Sequence, residues 1–567
     1  MREAMNCLSD MSQCTPVSAL SRVNRKNHWT LIPYETDEVS GVMIGAGSVA
    51  DAPEVTLPLG VSGWHAIYLG FWNPHHDYDG GACVRLKLTG DPCFQALSDF
   101  NYDGAAAAPS LWGGAELQEC FFRHADLTGK DLVIAQQSKG EPKKAYVAYF
   151  KVIPLSQAQA DAIQKDRANR DSRTLIATND GASFFYHKGC TTKEEILEQL
   201  ELYRHSDIGK VAWAVSYGDK TNYPSKVAHC VTAKRANSDI TLSPSQAVLS
   251  ESLDTLLSQG VIPVQVALEH VHDMGLKFDA MFRMGINGDI PPCDICHEGL
   301  VASRPQLRMV AKDGTPLEKA SYAFPQVQEF MLSLIREVIE NFDIDGVDLG
   351  WIRGPQFVGY ETPFVEDFMK EHGEDPRTLD ENDIRAQRLR ARYLTDFVRR
   401  VRRLVDEMGD KRGRKIELSA WLFSSEACLF FGLDVETWLK EELLDQIVGA
   451  DLGRFLDIAR AHHCKYYLGD RTLENVLKGH AKGVDGFAFW DLNIPIFGYS
   501  HELPDAWAVT RRMGHKEKLP ALAKDPPELK KIRLNTIGGF DIRHATNIGA
   551  NERKYSPPEM LPIYSGG

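Results

Sequence analysis

Between Val327 and Phe342 the apolar residues Val327, Phe330, Met331, Leu334, Ile335, Val338, Ile339 and Phe342 recur at steps of three and four. That spacing lines one face of an amphipathic helix. Residues 343–353 follow as Asp-Ile-Asp-Gly-Val-Asp-Leu-Gly-Trp-Ile-Arg. They predict a tight turn and a short buried strand that carries Asp348 toward its C-terminal end, the end at which a βα barrel does chemistry. An ionised carboxylate in that setting costs desolvation energy unless it is paired, and Arg353 is near enough in sequence to pair with it. A structural Asp-Arg ion pair and a catalytic acid both fit this pattern.

The same rhythm of strand and helix extends on both sides. Candidate strands fall at 174–179, 210–217, 277–284, 346–351, 415–422, 446–451, 465–469 and 484–490. Thr192 and Glu195 form a capping-box pattern ahead of Ile196, Leu197 and Leu200. A longer helix is predicted over 383–408, with Leu389, Tyr393, Leu394, Phe397, Val398, Val401, Leu404 and Val405 on one face. Its many arginines, among them Arg399, Arg400, Arg402 and Arg403, read as a solvated outer face rather than a binding surface. Eight alternating units predict an α/β fold, a (β/α)8 TIM barrel.

The first part of the chain has a different pattern. Short runs at 63–71, 82–88, 119–125, 132–136 and 145–153 are broken by Gly, Pro, Asn and Asp. Residues 83–88, Cys-Val-Arg-Leu-Lys-Leu, alternate with the period of two expected of a half-wet strand. An antiparallel β-sandwich domain is therefore expected before the barrel. The divisions read as 1–154 sandwich, 155–173 a polar helical linker, 174–515 barrel, and 516–567 an extension packed on the barrel or the sandwich.

A chain of 567 residues has room for two or three such units. Its formal net charge of -14 argues against a nucleic-acid partner, which needs clustered Lys and Arg. No apolar run is long enough to span a membrane. The amino terminus has no continuous apolar core of the secretory kind, and the 11 cysteines are odd in number and scattered. These features point to the cytoplasm, or to a periplasmic or secreted location if a leader has been removed. Assembly of identical chains is left open.

If the eight strands close into a barrel, their C-terminal ends converge. They then bring together Tyr217, Arg283, Asn287, Asp348, Trp351, Arg353, Trp421, Asp451, Asp470, Trp490 and Asp491, with His297 on a following loop. Carboxylates mixed with Trp and Tyr suit a sugar: a glycosidic bond needs an acid and a base or nucleophile, and aromatic faces stack on pyranose rings. Asp348 is the expected nucleophile or electrostatic stabiliser. Asp451, which ends an apolar strand, is the first choice for its acid/base partner, with Asp470 second. Tyr217, Trp351, Trp421 and Trp490 would form the platform, and Arg283, Asn287, His297, Arg353 and Asp491 would orient hydroxyl or carboxylate groups. A helix cap is the alternative reading of Asp451.

Three further patterns have blander readings. His270 and His272 are spaced i, i+2 on a predicted helix, so they point apart and do not suggest a metal site. Residues 293–297, Cys-Asp-Ile-Cys-His, spell the haem-attachment string but fall in a barrel loop. Residues 73–81, Asn-Pro-His-His-Asp-Tyr-Asp-Gly-Gly, read as a turn before they read as a calcium loop. No metal and no cofactor is expected.

Arg283-Met284-Gly285, Ser321-Tyr322-Ala323-Phe324-Pro325, and Asp345-Gly346-Val347-Asp348 followed by Trp351-Ile352-Arg353 carry a resemblance. Residues 170–510 resemble the glycosyl hydrolase-like barrels, distant relatives of the family-10 glycosidases found in environmental bacteria. The resemblance implies a TIM barrel acting on carbohydrate, with Asp348 as a functional carboxylate. It also implies a further acidic residue where this chain has Gly350. The leading expectation is a glycoside hydrolase acting on an oligo- or polysaccharide. The alternatives are a non-catalytic carbohydrate-binding barrel and a sugar lyase or isomerase, metal-assisted through His270, His272 or His297.

Overall fold

The computed structural model describes residues 6–72, 82–99, 116–140, 142–231, 242–288, 299–352, 354–470, 472–490, 509–524 and 530–542. Eight parallel strands form the centre: β1 (Leu175–Asn179), β2 (Ile208–Tyr217), β3 (Lys277–Arg283), β4 (Gly346–Gly350), β5 (Glu417–Trp421), β6 (Gln446–Gly449), β7 (Lys465–Leu468) and β8 (Gly486–Phe489). Each pairs with its successor, and β8 pairs with β1, so the sheet closes on itself. The protein contains the (β/α)8 barrel expected from its hydrophobic rhythm, and each of the eight expected strands is present. Six of the eight strands, β3 to β8, end one or two residues earlier than expected, so that Trp351 and Asp451 lie just past β4 and β6 rather than within them.

The helix before β4 spans Pro325–Asn341 and buries Val327, Met331, Leu334, Ile335, Val338 and Ile339 against the barrel. Pro325 opens it at a position where no backbone N–H is needed. The Arg-rich helix spans Ile384–Arg412, buries Leu389, Leu394, Phe397, Val398 and Val401, and stops at Gly413, whose φ is 68°. Its arginines pair outward with acids, Arg399 with Asp396 and Glu441, and Arg402 with Asp406. The expected capping box at Thr192 and Glu195 is formed.

The amino-terminal strands, antiparallel but for the short parallel pairing of Leu20–Ser21 with Trp29–Thr36, lie in two sheets that share an apolar core including Ile44, Val55, Ile67, Leu86, Ile134 and Val147. The larger sheet curls until Lys530–Ile537, from the far end of the chain, bridges Glu116–Asp126 and Trp29–Thr36. A second core that includes Tyr34, Trp72, Tyr149, Ile532 and Leu534 fills its other side. The five expected strands are all found. Trp29–Thr36 and Ser40–Ala46 were not expected, because Pro33 interrupts one and Gly41 and Gly45 the other. Gly45 is required by packing: a Cβ there would lie 2.4 Å from the Tyr146 ring.

The inside of the barrel is layered. At its floor, Lys210 Nζ lies 2.7 Å from Asp279 Oδ2 and 2.7 Å from Glu417 Oε2, and donates to Gln446 Oε1 at 3.1 Å. Asp279 is wholly buried, and a Cβ at Gly346 would collide with its carboxylate at 2.5 Å. An apolar layer follows, made by Ile176, Ala212, Ala214, Met281, Val448 and Ala488. Replacing Lys210 with Met should strand the Asp279 charge and destabilise the protein by about 3–5 kcal/mol in urea unfolding. A loss below about 1 kcal/mol would show that the floor does not depend on this pair.

Candidate functional site at the barrel mouth

Because the eight strands are parallel, their C-terminal residues share one end of the barrel. Alternation along each strand then selects which side chains enter it. Arg283, at the end of β3, is the hub. Its guanidinium carbon lies 4.9 Å from the centre of the Tyr217 ring and 5.9 Å from that of Trp490. Trp490 meets Trp421 edge-on at 5.3 Å. Arg283 Nη2 stands 3.9 Å from Asp180 Oδ2, and the Tyr217 hydroxyl donates to the Asp180 carbonyl at 2.5 Å. Cation–π contacts of this kind hold the arginine over the rings. Arg283 Nε is buried without a hydrogen-bond partner among the described residues.

Asp348 lies one layer deeper. It is the third residue of β4, is 2 % exposed, and is flanked in register by Met281 and Ser419. Ser419 Oγ stands 3.0 Å from Asp348 Oδ2 and 3.3 Å from the Val347 carbonyl, while Asp348 Oδ1 has no partner among the described residues. Burial pushes the carboxyl up to about 7, and the Asp279 charge below it adds to that, against the opposing pull of Ser419 and Lys210. Near neutral pH a protonated Asp348 can donate to Ser419, whose own proton then goes to the Val347 carbonyl.

The other two candidate carboxylates are engaged differently. Asp451 accepts the backbone N–H of Ser425 at 2.7 Å and of Gly453 at 2.8 Å, one on each oxygen, and thereby ties two rim loops together. Asp470 accepts from Thr472 N and Oγ1 on one oxygen and from Asn475 Nδ2 on the other. Both act as loop organisers.

Trp351 is not part of the aromatic platform. It is fully buried among Tyr322, Phe357 and Trp438, because one step past Gly350 the alternation turns it outward into the helix layer. Asn287 is exposed on the rim, where its backbone bridges to Lys319. His297, Arg353 and Asp491, like the 73–81 turn and the 293–297 string, lie outside the described residues.

His270 and His272 sit on Pro263–Asp273, ahead of β3 and so at the opposite end of the barrel from the mouth. His272 bonds Asp345 at 2.8 Å. His270 bonds Glu201 at 2.9 Å, and Cys93 approaches the same pair closely enough to suggest a metal-binding group. Arg204, however, already occupies both Glu201 oxygens at 2.7 and 3.0 Å. A fixed guanidinium there opposes a cation.

Two features of this site are not expected from the sequence: Ser419 as the partner of Asp348, and the Lys210–Asp279–Glu417 floor that charges its surroundings. Polar residues at inward positions of otherwise apolar strands were the available signal.

Residues 176–450 match the family model Glycosyl hydrolase-like 10. The barrel thus resembles the glycosyl hydrolase-like family over a little less than half of the chain. No curated protein matches the sequence. Among solved structures, the chain is similar to alpha-L-fucosidase isoenzyme 2 from Paenibacillus thiaminolyticus (14% identity, 62% of this chain and 50% of that one, TM-score 0.39). It is also similar to the PgaB (BpsB) glycoside hydrolase domain from Bordetella bronchiseptica (10% identity, 61% and 96%, TM-score 0.38). A third is the exo beta-N-acetylglucosaminidase from Vibrio harveyi (12% identity, 67% and 60%, TM-score 0.34). The chain spans half the length of the first of these.

Within this glycosyl hydrolase-like barrel, Gly350 stands at the mouth between Arg283 and Trp421 in register. A Cβ at this position would lie 3.1 Å from the Phe282 carbonyl and 3.5 Å from Met281 Cγ, so the space for an acidic side chain here is narrow. The chemistry of the described mouth therefore centres on one arginine and three rings above a buried acid.

That acid has a pH signature. A carboxyl whose folded pKa exceeds its unfolded value stabilises the fold fully below the unfolded value, and that contribution is lost as pH rises through about 7. Relative to Asp348→Asn, the wild type should lose on the order of 3 kcal/mol between about pH 4 and pH 8. Urea unfolding of both proteins across that window checks it; parallel curves would place Asp348 in contact with water.

Proposed function

We propose that this protein recognises carbohydrate at the C-terminal mouth of its barrel, with Tyr217, Trp421, Trp490 and Arg283 as the contact surface. The observation that carries this reading is the seating of Arg283 over Tyr217 and Trp490 at the strand ends, with Trp421 edge-on beside them. Rings so placed offer apolar faces to a pyranose, and the guanidinium offers donors to its hydroxyl or carboxylate oxygens. The family to which the barrel is similar supports the same substrate class.

Hydrolysis is the second reading, and Asp348 favours it specifically. A carboxyl held near 7 with one buried, unpartnered oxygen is suited to donating a proton to a leaving-group oxygen. Cleavage also needs a second carboxylate about 5 to 9.5 Å away, the spacing that separates retaining from inverting chemistry. Asp451 and Asp470 would have to leave their loop hydrogen bonds to serve. Recognition requires no such rearrangement, and for that reason it is placed first.

Calorimetry with a panel of neutral and acidic oligosaccharides should find a ligand whose affinity falls at least about tenfold in Trp490→Ala and in Arg283→Ala. A panel with no binder, or variants that bind as the wild type does, would sink the recognition site. Incubation of the same ligands with wild type and Asp348→Asn separates the two readings: an intact ligand supports recognition alone. Product formed by the wild type and lost in the variant supports hydrolysis with Asp348 as the acid.

A further inference from the structure

A small cavity lies far from the mouth, where the sheet domain meets the floor of the barrel. Its volume is about 40 Å³, and it is lined from the sheet side by Phe121 and Arg123, from the linker helix by Arg167, from the barrel by Glu201 and His205, and from the segment after β8 by Arg511. Three guanidiniums therefore face one small space. Arg123 has a partner in Asp91. Arg167 and Arg511 have no ion pair among the described residues; Asp166 acts on both and Asp207 on Arg511 from farther away, but these acids are paired with Arg512 and His515. Arg167 donates to the His124 carbonyl at 2.9 Å, and Arg511 lies 5.1 Å from the Phe121 ring centre.

The one acid on the wall cannot neutralise them, because both Glu201 oxygens are already held by Arg204 and His270. Two donors are left over: Arg123 Nε and Arg511 Nε are buried without a hydrogen-bond partner among the described residues. Guanidinium groups do not shed their protons in proteins, so the repulsion cannot be relieved by titration. Burial and the neighbouring arginines push Arg167 and Arg511 down to about 10, and push His205 far down, so the histidine adds no charge of its own. A partly buried positive cluster with spare N–H groups calls for an anion, and planar forks favour an oxyanion that can accept two bonds at once.

We propose that this cavity binds one small tetrahedral oxyanion of the phosphate class, clasped by Arg123, Arg167 and Arg511. Each arginine comes from a different segment: a strand of the sheet domain, the linker helix and the chain that leaves the barrel. The bound ion therefore joins the two folded units in addition to balancing charge. The volume admits a free ion and leaves no room for a sugar attached to it.

The experiment is calorimetry and thermal unfolding of the full chain with inorganic phosphate, sulfate, chloride and a sugar phosphate at constant ionic strength. Phosphate should bind with one site per chain and raise Tm above the chloride control, as a ligand that binds only the folded state must. Arg167→Gln and Arg511→Gln should each weaken phosphate at least tenfold. Each should also leave the phosphate-free Tm unchanged or higher, since removing one charge relieves the repulsion. Equal effects of phosphate and chloride would overturn the proposal, as would variants with wild-type phosphate affinity or tighter binding of the sugar phosphate than of the free ion. Should a variant fail to fold, the wild-type calorimetry decides alone: no saturable phosphate binding overturns it.

Discussion

The barrel is organised around one buried lysine. Lys210 enters the floor from β2 and meets Asp279 from β3 and Glu417 from β5, so a single ammonium links strands on both sides of β4. In a space with almost no water this arrangement holds only while the opposite charges stay together. Its effects differ among its members: Glu417 is held down to about 2 by Lys210 and Lys277, whereas Asp279, deeper, is pushed up to about 6 by burial. That residual negative charge lies below Asp348 and helps to keep it protonated near neutral pH. Structural floor and candidate acid are thus one electrostatic system.

The mouth follows from the same strands by alternation. Residues 281, 283 and 348 point inward because residues 280, 282 and 347 pack outward, and Trp351 falls on the outer side by the same count. What separates this mouth from a two-carboxylate site is local geometry. Gly350 leaves the strand end without a side chain, and the acids just past β6 and β7 are engaged by rim-loop donors, Asp451 by backbone N–H groups of two loops and Asp470 by groups of its own loop. A carboxylate that accepts hydrogen bonds on both oxygens from loop groups is stabilised in that role, and drawing it into catalysis would cost those bonds. An aromatic and arginine surface carries no such conflict.

At the opposite end, the cavity among Arg123, Arg167 and Arg511 shows how the units are joined. The sheet domain also meets the barrel through Arg85 on Glu198 and Lys139 on Glu195, ordinary opposite-charge contacts. The segment after β8 returns through Arg512 and His515, which engage Asp166 and Asp207. Strand Lys530–Ile537 then completes the amino-terminal sheet, so the two units are tied by chain as well as by charge.

Much of this architecture was legible in the one-dimensional pattern. Helix periodicity before Asp345, the eight apolar strands and the short alternating runs of the first part follow from which residues must leave water, and that demand is local. Asp348 was legible as a buried strand acid for the same reason. The partners were not. Ser419 meets Asp348 across 71 positions, and Lys210 meets Glu417 across 207, distances that only closure of the sheet can abolish. Nor could spacing tell that Asp451 caps loops, that Trp351 faces outward once β4 ends at Gly350, or that Lys530–Ile537 belongs to the first sheet. The sequence by itself determined which segments are strands and helices and which face of each is apolar. The tertiary structure alone decided which charges are neutralised, and it did so because electrostatic pairing depends on distance in space rather than along the chain.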